Sequence, residues 1–203
     1  MPKVLISDAM SNVAQKIFEK NNISVDVKTG LSEEEIIKII PDYDGMVVRS
    51  ATKVTKNILE AAKNLKVIGR AGAGVDNIDV PTAKEKNMIV MNTPGGNANA
   101  TAEHVFALIM SVLRKIPFAN ETTHKGQWEK KNIKGVELSK KILGIVGFGN
   151  VGVRLSNLVK GFDMKILVNS KSLESRKNEY QHVENASFDD LVSKSDVLSF
   201  HCK

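Results

Sequence analysis

The sequence predicts an α/β protein made of two doubly wound parallel-sheet domains, residues 1–95 and 96–203, the second of them incomplete. Three observations predict it. Short apolar runs alternate with helix-like segments along the whole chain, the pattern of parallel strands joined by crossover helices. The stretch Thr93-Pro94-Gly95-Gly96-Asn97 breaks that alternation and divides it into two blocks. The second block carries Gly147-Phe148-Gly149-Asn150-Val151-Gly152 between an apolar run and a helix-like one.

In the first block, strands are predicted at Lys3–Ser7, Ile23–Val27, Met46–Val48, Lys66–Gly69 and Met88–Met91. Ser32 ahead of Glu33-Glu34-Glu35 reads as an N-cap followed by first-turn acids, and Ile36, Ile37 and Ile40 mark one apolar helix face. After the break, Thr101–Leu113 has apolar residues at helical spacing, among them Val105, Leu108, Ile109 and Leu113, and reads as a long buried helix. Further strands are predicted at Lys141–Val146, Lys165–Val168 and Val197–His201, with a short one near His182–Glu184. No fixed-period repeat or low-complexity segment is present in the sequence.

The glycine hexad sits where a dinucleotide-binding fingerprint must sit, after the run Ile142–Val146 and before a helix that ends near Gly161. Its first glycine permits a tight turn, its second lets a pyrophosphate approach the backbone, and its third lets helix and strand pack closely. The unpaired N–H groups and dipole of the helix start then favour the negative charge. In the strand order 3-2-1-4-5-6 of such a domain, Val197–Phe200 is only the fourth strand, with its outer side unpaired. The chain is therefore expected to be the front part of a longer protein.

Composition narrows the function classes. The 203 residues are 42% hydrophobic and 26% charged, as in a globular protein. No apolar run reaches the roughly 18 residues of a membrane span, and Met1-Pro2-Lys3 leads into a strand instead of a leader peptide, so a cytoplasmic protein is expected. The one cysteine, Cys202, rules out an internal disulfide, and no Cys/His spacing resembles a metal site. The net charge of +6 comes from 29 basic residues spread along a chain with one tryptophan and two tyrosines, which gives no nucleic-acid interface. A local excess from Lys125 to Lys141 reads either as a solvated face or as an attractor of phosphorylated ligands.

Longer strings carry a resemblance. They include Val4-Leu5-Ile6-Ser7-Asp8, Val48-Arg49-Ser50-Ala51-Thr52-Lys53-Val54-Thr55, Val67-Ile68-Gly69-Arg70-Ala71-Gly72-Ala73-Gly74-Val75-Asp76-Asn77, Val90-Met91-Asn92-Thr93-Pro94 and Thr101-Ala102-Glu103-His104. With the glycine loop in the second block, the chain resembles the D-isomer-specific 2-hydroxyacid dehydrogenases over essentially its whole length, and phosphoglycerate-type members in particular. The resemblance implies a flavodoxin-like substrate domain followed by a Rossmann NAD(P)-binding domain. It implies oxidation of 3-phospho-D-glycerate at C2, with hydride passing to the nicotinamide, as the entry step of serine biosynthesis.

Site residues follow from the same resemblance. Arg49 and Arg70 stand at strand ends, where guanidinium groups make charge-assisted bonds to carboxylate or phosphate, and Ser50 adds a neutral donor. A surface ion pair is the plain alternative for each arginine. Gly72, Ala73 and Gly74 would bring backbone N–H groups up to a substrate carboxylate. Asn97 is implied as a further substrate contact and Ala73 as a cofactor contact. Lys130 stands where the family commonly has an arginine reaching the substrate phosphate of a neighbouring subunit, and Trp128 reads as a packing or interface residue.

For the cofactor, the resemblance implies contacts from Gly147, Gly149, Asn150, Val151, Gly152, Ser170, His201 and Cys202. An NAD site ordinarily has an acid about 20 residues past the fingerprint to bind the ribose hydroxyls. Here Ser170 occupies that place, Lys171 follows, and the next carboxylate is Glu174. NAD is the family's cofactor, and this exchange opens the site to NADP. The arginine, glutamate and histidine that perform family catalysis have no counterpart in this chain, which is expected to turn over poorly alone. His104 is expected to pack or hydrogen-bond on the long helix, and His124 and His182 to lie on the surface. Similar enzymes are homodimers or homotetramers. Rival readings are a dehydrogenase of another small D-2-hydroxy acid, and an NAD(H)-sensing corepressor.

Overall fold

The computed structural model describes residues 1–202; Lys203, the last residue of the second expected domain, lies outside them. The chain forms two compact units, Met1–Gly96 and Asn97–Lys203.

The first unit runs β1 (Lys3–Ile6), α1 (Val13–Lys20), β2 (Ser24–Val27), α2 (Glu33–Ile39), β3 (Gly45–Val48), α3 (Lys56–Ala61), β4 (Val67–Arg70), α4 (Val80–Glu85) and β5 (Ile89–Asn92). Its strands pair in parallel in the order β2-β1-β3-β4-β5, the flavodoxin-like arrangement. Alternation along the strands sorts the side chains. Leu5, Met46, Val48 and Ile68 share a core with Ile36 and Ile40 from the α2 region and Ile58 and Leu59 from α3. Val4, Val47 and Val67 belong to the other face and line an apolar groove with Ala14, Ile17 and Phe18 of α1. The helix opened by Ser32 is held by a capping box: Ser32 Oγ accepts from the Glu35 amide, and the Glu35 carboxylate accepts from the Ser32 amide.

The second unit runs α5 (Ala98–Leu113), α6 (Ile116–His124), β6 (Ile142–Val146), α7 (Asn150–Leu158), β7 (Lys165–Asn169), β8 (Glu184–Asn185), α8 (Phe188–Lys194) and β9 (Val197–Phe200). Its parallel sheet has the order β8-β7-β6-β9, which in terms of strand sequence is 3-2-1-4, and β9 forms one edge. Ala102, Ile109, Leu143, Ile145, Leu155 and Val168 form its core. The expectation of a long buried helix is corrected for one of its faces. Val105, Phe106, Met110 and Leu113 of α5 pack on that core, whereas Leu108 is 53% and Val112 73% exposed. From Val105 onward the helix is apolar almost all round, so its sequence does not tell the packed face from the open one.

A polar linkage ties β1, β2 and the entry to β3. Tyr43 is buried, and its hydroxyl donates to Asp26 Oδ2 at 2.7 Å, while Lys3 Nζ reaches the same oxygen at 2.9 Å. The Tyr43 hydroxyl and Lys3 hold the Asp26 carboxyl below its ordinary 3.8. A carboxylate with a depressed folded-state pKa contributes stability above its unfolded value and loses it as pH falls through the folded value. Tyr43→Phe should therefore lower stability at neutral pH by about 1 kcal/mol, the usual net worth of a buried hydrogen bond. It should also narrow the gap between neutral and pH 3 stability, measured by urea unfolding at both pH values.

Candidate functional site

In the first unit, the loops after β1, β3 and β4 meet at the carboxyl ends of neighbouring strands. Arg49 follows β3 directly, and Arg70 is the last residue of β4, paired in register with Val48. Arg70 Nε donates to the Arg49 carbonyl at 3.2 Å, and Arg49 Nη1 donates to the Ala9 carbonyl at 3.2 Å. The two guanidinium groups thus spring from adjoining backbone. Arg49 and Ser50 are exposed, whereas the Arg70 side chain is only 13% exposed. Asp76 lies 3.7 Å from Arg70 Nη1, but that carboxylate is 83% exposed, so the pair is a weak one.

Gly72 and Gly74 lie against that guanidinium. A Cβ on Gly72 would come within 3.2 Å of Arg70 Nη1, and one on Gly74 within 2.6 Å of Asp76 Oδ1 and 3.0 Å of Arg70 Nη1. The glycines make room for the arginine, a reason that the sequence reading did not include. The Gly72 amide already donates to the Arg70 carbonyl at 2.8 Å, and Asn92 Nδ2 donates to the Ala73 carbonyl at 2.7 Å.

Asp8, just past β1, is the residue of this region whose chemistry sequence reading missed. It is 5% exposed, and its carboxylate accepts from the Arg49 amide (2.6 Å), the Thr52 amide (3.0 Å) and the Thr52 hydroxyl (2.6 Å). Burial alone pushes its pKa up, but those hydrogen bonds outweigh it and hold the carboxyl below the ordinary value. An acid at the end of an apolar strand, close to a site rich in arginine, is the signal that would have drawn attention to it.

In the second unit, three adjacent strand ends are drawn together around the glycine loop. The Gly147 amide donates to Asn169 O at 3.0 Å, and the His201 amide donates to Val146 O at 2.7 Å. Each glycine answers to a different constraint. Gly147 has φ +89°, and a Cβ there would strike the His201 carbonyl group and the Cys202 amide nitrogen at 2.8–2.9 Å. A Cβ on Gly152 would lie 2.6 Å from the Gly147 carbonyl oxygen, so α7 can approach the loop only without one. A Cβ on Gly149 would meet nothing within 4 Å. Nothing inside the chain therefore explains the absence of a side chain at Gly149, which stands at the N-cap of α7 with no side-chain cap. The first-turn amides of the helix, from Asn150 through Gly152, have no intrahelical acceptor. A bare helix start with clear space in front of it fits a diphosphate.

Ser170 directly follows β7 and exchanges a hydrogen bond with Ser172 at 3.0 Å; Lys171 is exposed. Glu174, the first acid beyond, accepts from Asn185 Nδ2 at 2.9 Å. His201 is half-buried, pairs with Ser199 Oγ at 2.9 Å, and has its pKa pushed down by burial, which favours the neutral ring at pH 7. The expectation that His182 lies on the surface is corrected: it is half-buried, pairs with Ser156 Oγ at 3.1 Å and packs edge-on to Tyr180. Burial, and then Lys160, push its pKa down. His104 and His124 are exposed, the latter bonded to the Asn120 carbonyl.

The structure thus brings Arg49, Ser50, Arg70, Gly72, Ala73 and Gly74 together in the first unit. It brings the 147–152 loop, Ser170, His201 and Cys202 together in the second. Asn97 and Lys130 belong to the second unit and are exposed there, Asn97 at the start of α5 with its carbonyl accepting from Thr101. Trp128 is 81% exposed, so it does not pack within the chain. Among the described residues there is no metal-binding cluster and no helix long and apolar enough to cross a membrane.

Comparison with known proteins agrees with the two parallel-sheet domains. D-3-phosphoglycerate dehydrogenase of Archaeoglobus fulgidus is 43% identical over 98% of this chain, which spans 38% of that relative's length. Hydroxypyruvate reductase of Thermotoga maritima is 42% identical over 98% of the chain, covering 64% of the relative. The NAD-bound crystal structure of 3-phosphoglycerate dehydrogenase from Entamoeba histolytica superimposes with a TM-score of 0.79 at 30% identity, over 99% of this chain and 62% of that one. The family model described as D-isomer specific 2-hydroxyacid dehydrogenase, catalytic domain, matches residues 4–192. With glycine loop, strand orders and sequence in agreement, the chain belongs to the D-isomer-specific 2-hydroxyacid dehydrogenase family.

Proposed function

We propose that the two units bind substrate and cofactor for the NAD(P)-dependent oxidation of 3-phospho-D-glycerate to 3-phosphohydroxypyruvate, the entry step of serine biosynthesis. The observation that carries the substrate class is the pairing of Arg49 and Arg70 at adjoining strand ends, two permanent cations joined through one carbonyl. A substrate with a carboxylate and a phosphate suits two such groups. With the Gly72 amide engaged, the free backbone donors of the loop are assigned to Ala73 and Gly74, and Ser50 adds a hydroxyl. The dehydrogenase from Archaeoglobus supports the phosphorylated substrate. The relative from Thermotoga favours a second reading, in which an unphosphorylated D-2-hydroxy acid is used.

The second unit is assigned to the cofactor. Gly147, Gly149 and the amides of Asn150, Val151 and Gly152 hold the pyrophosphate, with Ser170 beside the adenosine ribose and His201 and Cys202 lining the same strand ends. When bound there, the nicotinamide would supply the hydride acceptor for oxidation at C2 of the substrate. The neutral His201 adds no charge to that region. Without an acid at Ser170, and with Lys171 exposed, nothing there repels a 2′-phosphate, which supports use of NADP as well as NAD. No residue of this chain is assigned to the proton transfer. Asn97 and Lys130 are kept as substrate contacts, Lys130 in a neighbouring subunit's site. The exposed apolar residues Leu108 and Val112 of α5 and Ile116 and Phe118 of α6 support a homodimer or homotetramer, and the free Cys202 supports a cytoplasmic setting.

Four measurements test this reading. Gly149→Ala should weaken NADH binding at least tenfold while lowering stability by no more than about 1 kcal/mol. Gly152→Ala, overpacked against the loop, should instead lose about 1–3 kcal/mol in denaturant unfolding. In a calorimetric titration, NADPH should bind within a hundredfold of NADH; a wider gap in favour of NADH removes the NADP assignment. Arg49→Ala should abolish the preference for 3-phospho-D-glycerate over D-glycerate in binding, and an unchanged ratio would overturn the phosphorylated substrate.

A further inference from the structure

We propose that Asp8 and Asn77 are positioning residues for substrate recognition, gripping the backbone of residues 49–52 by its N–H groups and by its carbonyls respectively and so fixing where Arg49 and Ser50 are presented. The proposal rests on the functional reading above and adds two residues that touch no ligand in it.

The grip involves both polar groups of both end residues. Asp8 accepts from the N–H of Arg49 (2.6 Å) and the N–H of Thr52 (3.0 Å), and also from the Thr52 hydroxyl (2.6 Å). Asn77 Nδ2 donates to the carbonyl of Arg49 (2.8 Å) and to the carbonyl of Thr52 (2.6 Å). One acceptor group therefore takes the loop's donors, and one donor group takes its acceptors. Asn77 is itself brought beside the loop by a one-residue parallel bridge between Val54 and Ile78, with Val54 N donating to Asn77 O at 2.8 Å and Asp79 N to Val54 O at 2.9 Å.

Two features mark the grip as more than loop packing. Asp8 places a buried carboxylate directly behind the loop assigned to an anionic substrate, which its charge alone would repel. Its hydrogen bonds keep it ionised in spite of its burial, so the charge is held for what it organises. Asn77 Oδ1 is buried and accepts no hydrogen bond among the described residues. Turning the amide over would set that oxygen against two carbonyl oxygens, so the contacts to the loop dictate its orientation at the expense of an unpaired acceptor. The Arg49 carbonyl is shared by Asn77 and Arg70 Nε, and the same grip thereby sets the second guanidinium.

The test is calorimetric binding of 3-phospho-D-glycerate and of NADH to the chain and its variants. Asp8→Asn should weaken 3-phospho-D-glycerate at least tenfold and leave NADH, bound in the other unit, within twofold. Asp8→Asn added to Arg49→Ala should cost clearly less than the sum of the two single substitutions, because part of what it loses is the position of a side chain already removed. A general structural defect would persist in that background. If Asp8→Asn does not fold, Thr52→Val removes one donor to the carboxylate with little change in shape and should weaken 3-phospho-D-glycerate at least threefold with the same non-additivity. Wild-type affinity in the folded variant, or full additivity with Arg49→Ala, overturns the positioning role alone. Failure of the unsubstituted chain to bind 3-phospho-D-glycerate overturns the functional reading and the positioning role with it.

Discussion

A parallel sheet gathers the carboxyl ends of all its strands along one edge, and this constraint places nearly every candidate functional residue in the chain. In the first unit it brings Asp8, Arg49 and Arg70 to the ends of β1, β3 and β4, which are neighbours in the sheet though far apart in sequence. In the second it brings the glycine loop, Ser170 and His201 to the ends of β6, β7 and β9. The hydrogen bonds Gly147 N to Asn169 O and His201 N to Val146 O make those ends a single ledge. Both units have the order reversal that opens a crevice in such sheets, at β1/β3 in the first and β6/β9 in the second.

Strands and glycine loop were legible because their causes are local. Runs of apolar residues fixed β1, β4, β6 and β7 to within a residue or two, and the Ser32 capping box is written in four consecutive residues. Gly147 and Gly152 each fulfil a steric demand from the chain that a Cβ would violate. The open face of α5 was not legible, since Leu108 and Val112 are as apolar as the residues that pack. Nor was the burial of His182, whose partner Ser156 lies 26 residues away on α7. Least legible was the bracing of the Arg49 loop, because Asp8 is separated from Arg49 by 41 residues and Asn77 by 28. No periodicity carries information over such distances; only the sheet order does.

The two candidate sites handle charge in contrasting ways. The glycine loop presents uncharged backbone dipoles at the start of α7, and burial pushes the pKa of its neighbouring His201 down. The first unit uses full charges, two guanidinium groups with a buried carboxylate behind them. Dipoles suit a diphosphate whose position must be set by close approach. Guanidinium groups suit small anions that must be selected by shape as well as charge.

The bracing of residues 49–52 separates frame from message. Four of its five anchor points on the loop are main-chain atoms of Arg49 and Thr52, and a main chain is the same whatever side chain it bears. Arg49 and Ser50 can be exchanged for other residues while the turn that carries them keeps its course. A scaffold of this kind lends itself to diversification: new small acids become accessible by rewriting two outward letters, with no need to invent another loop.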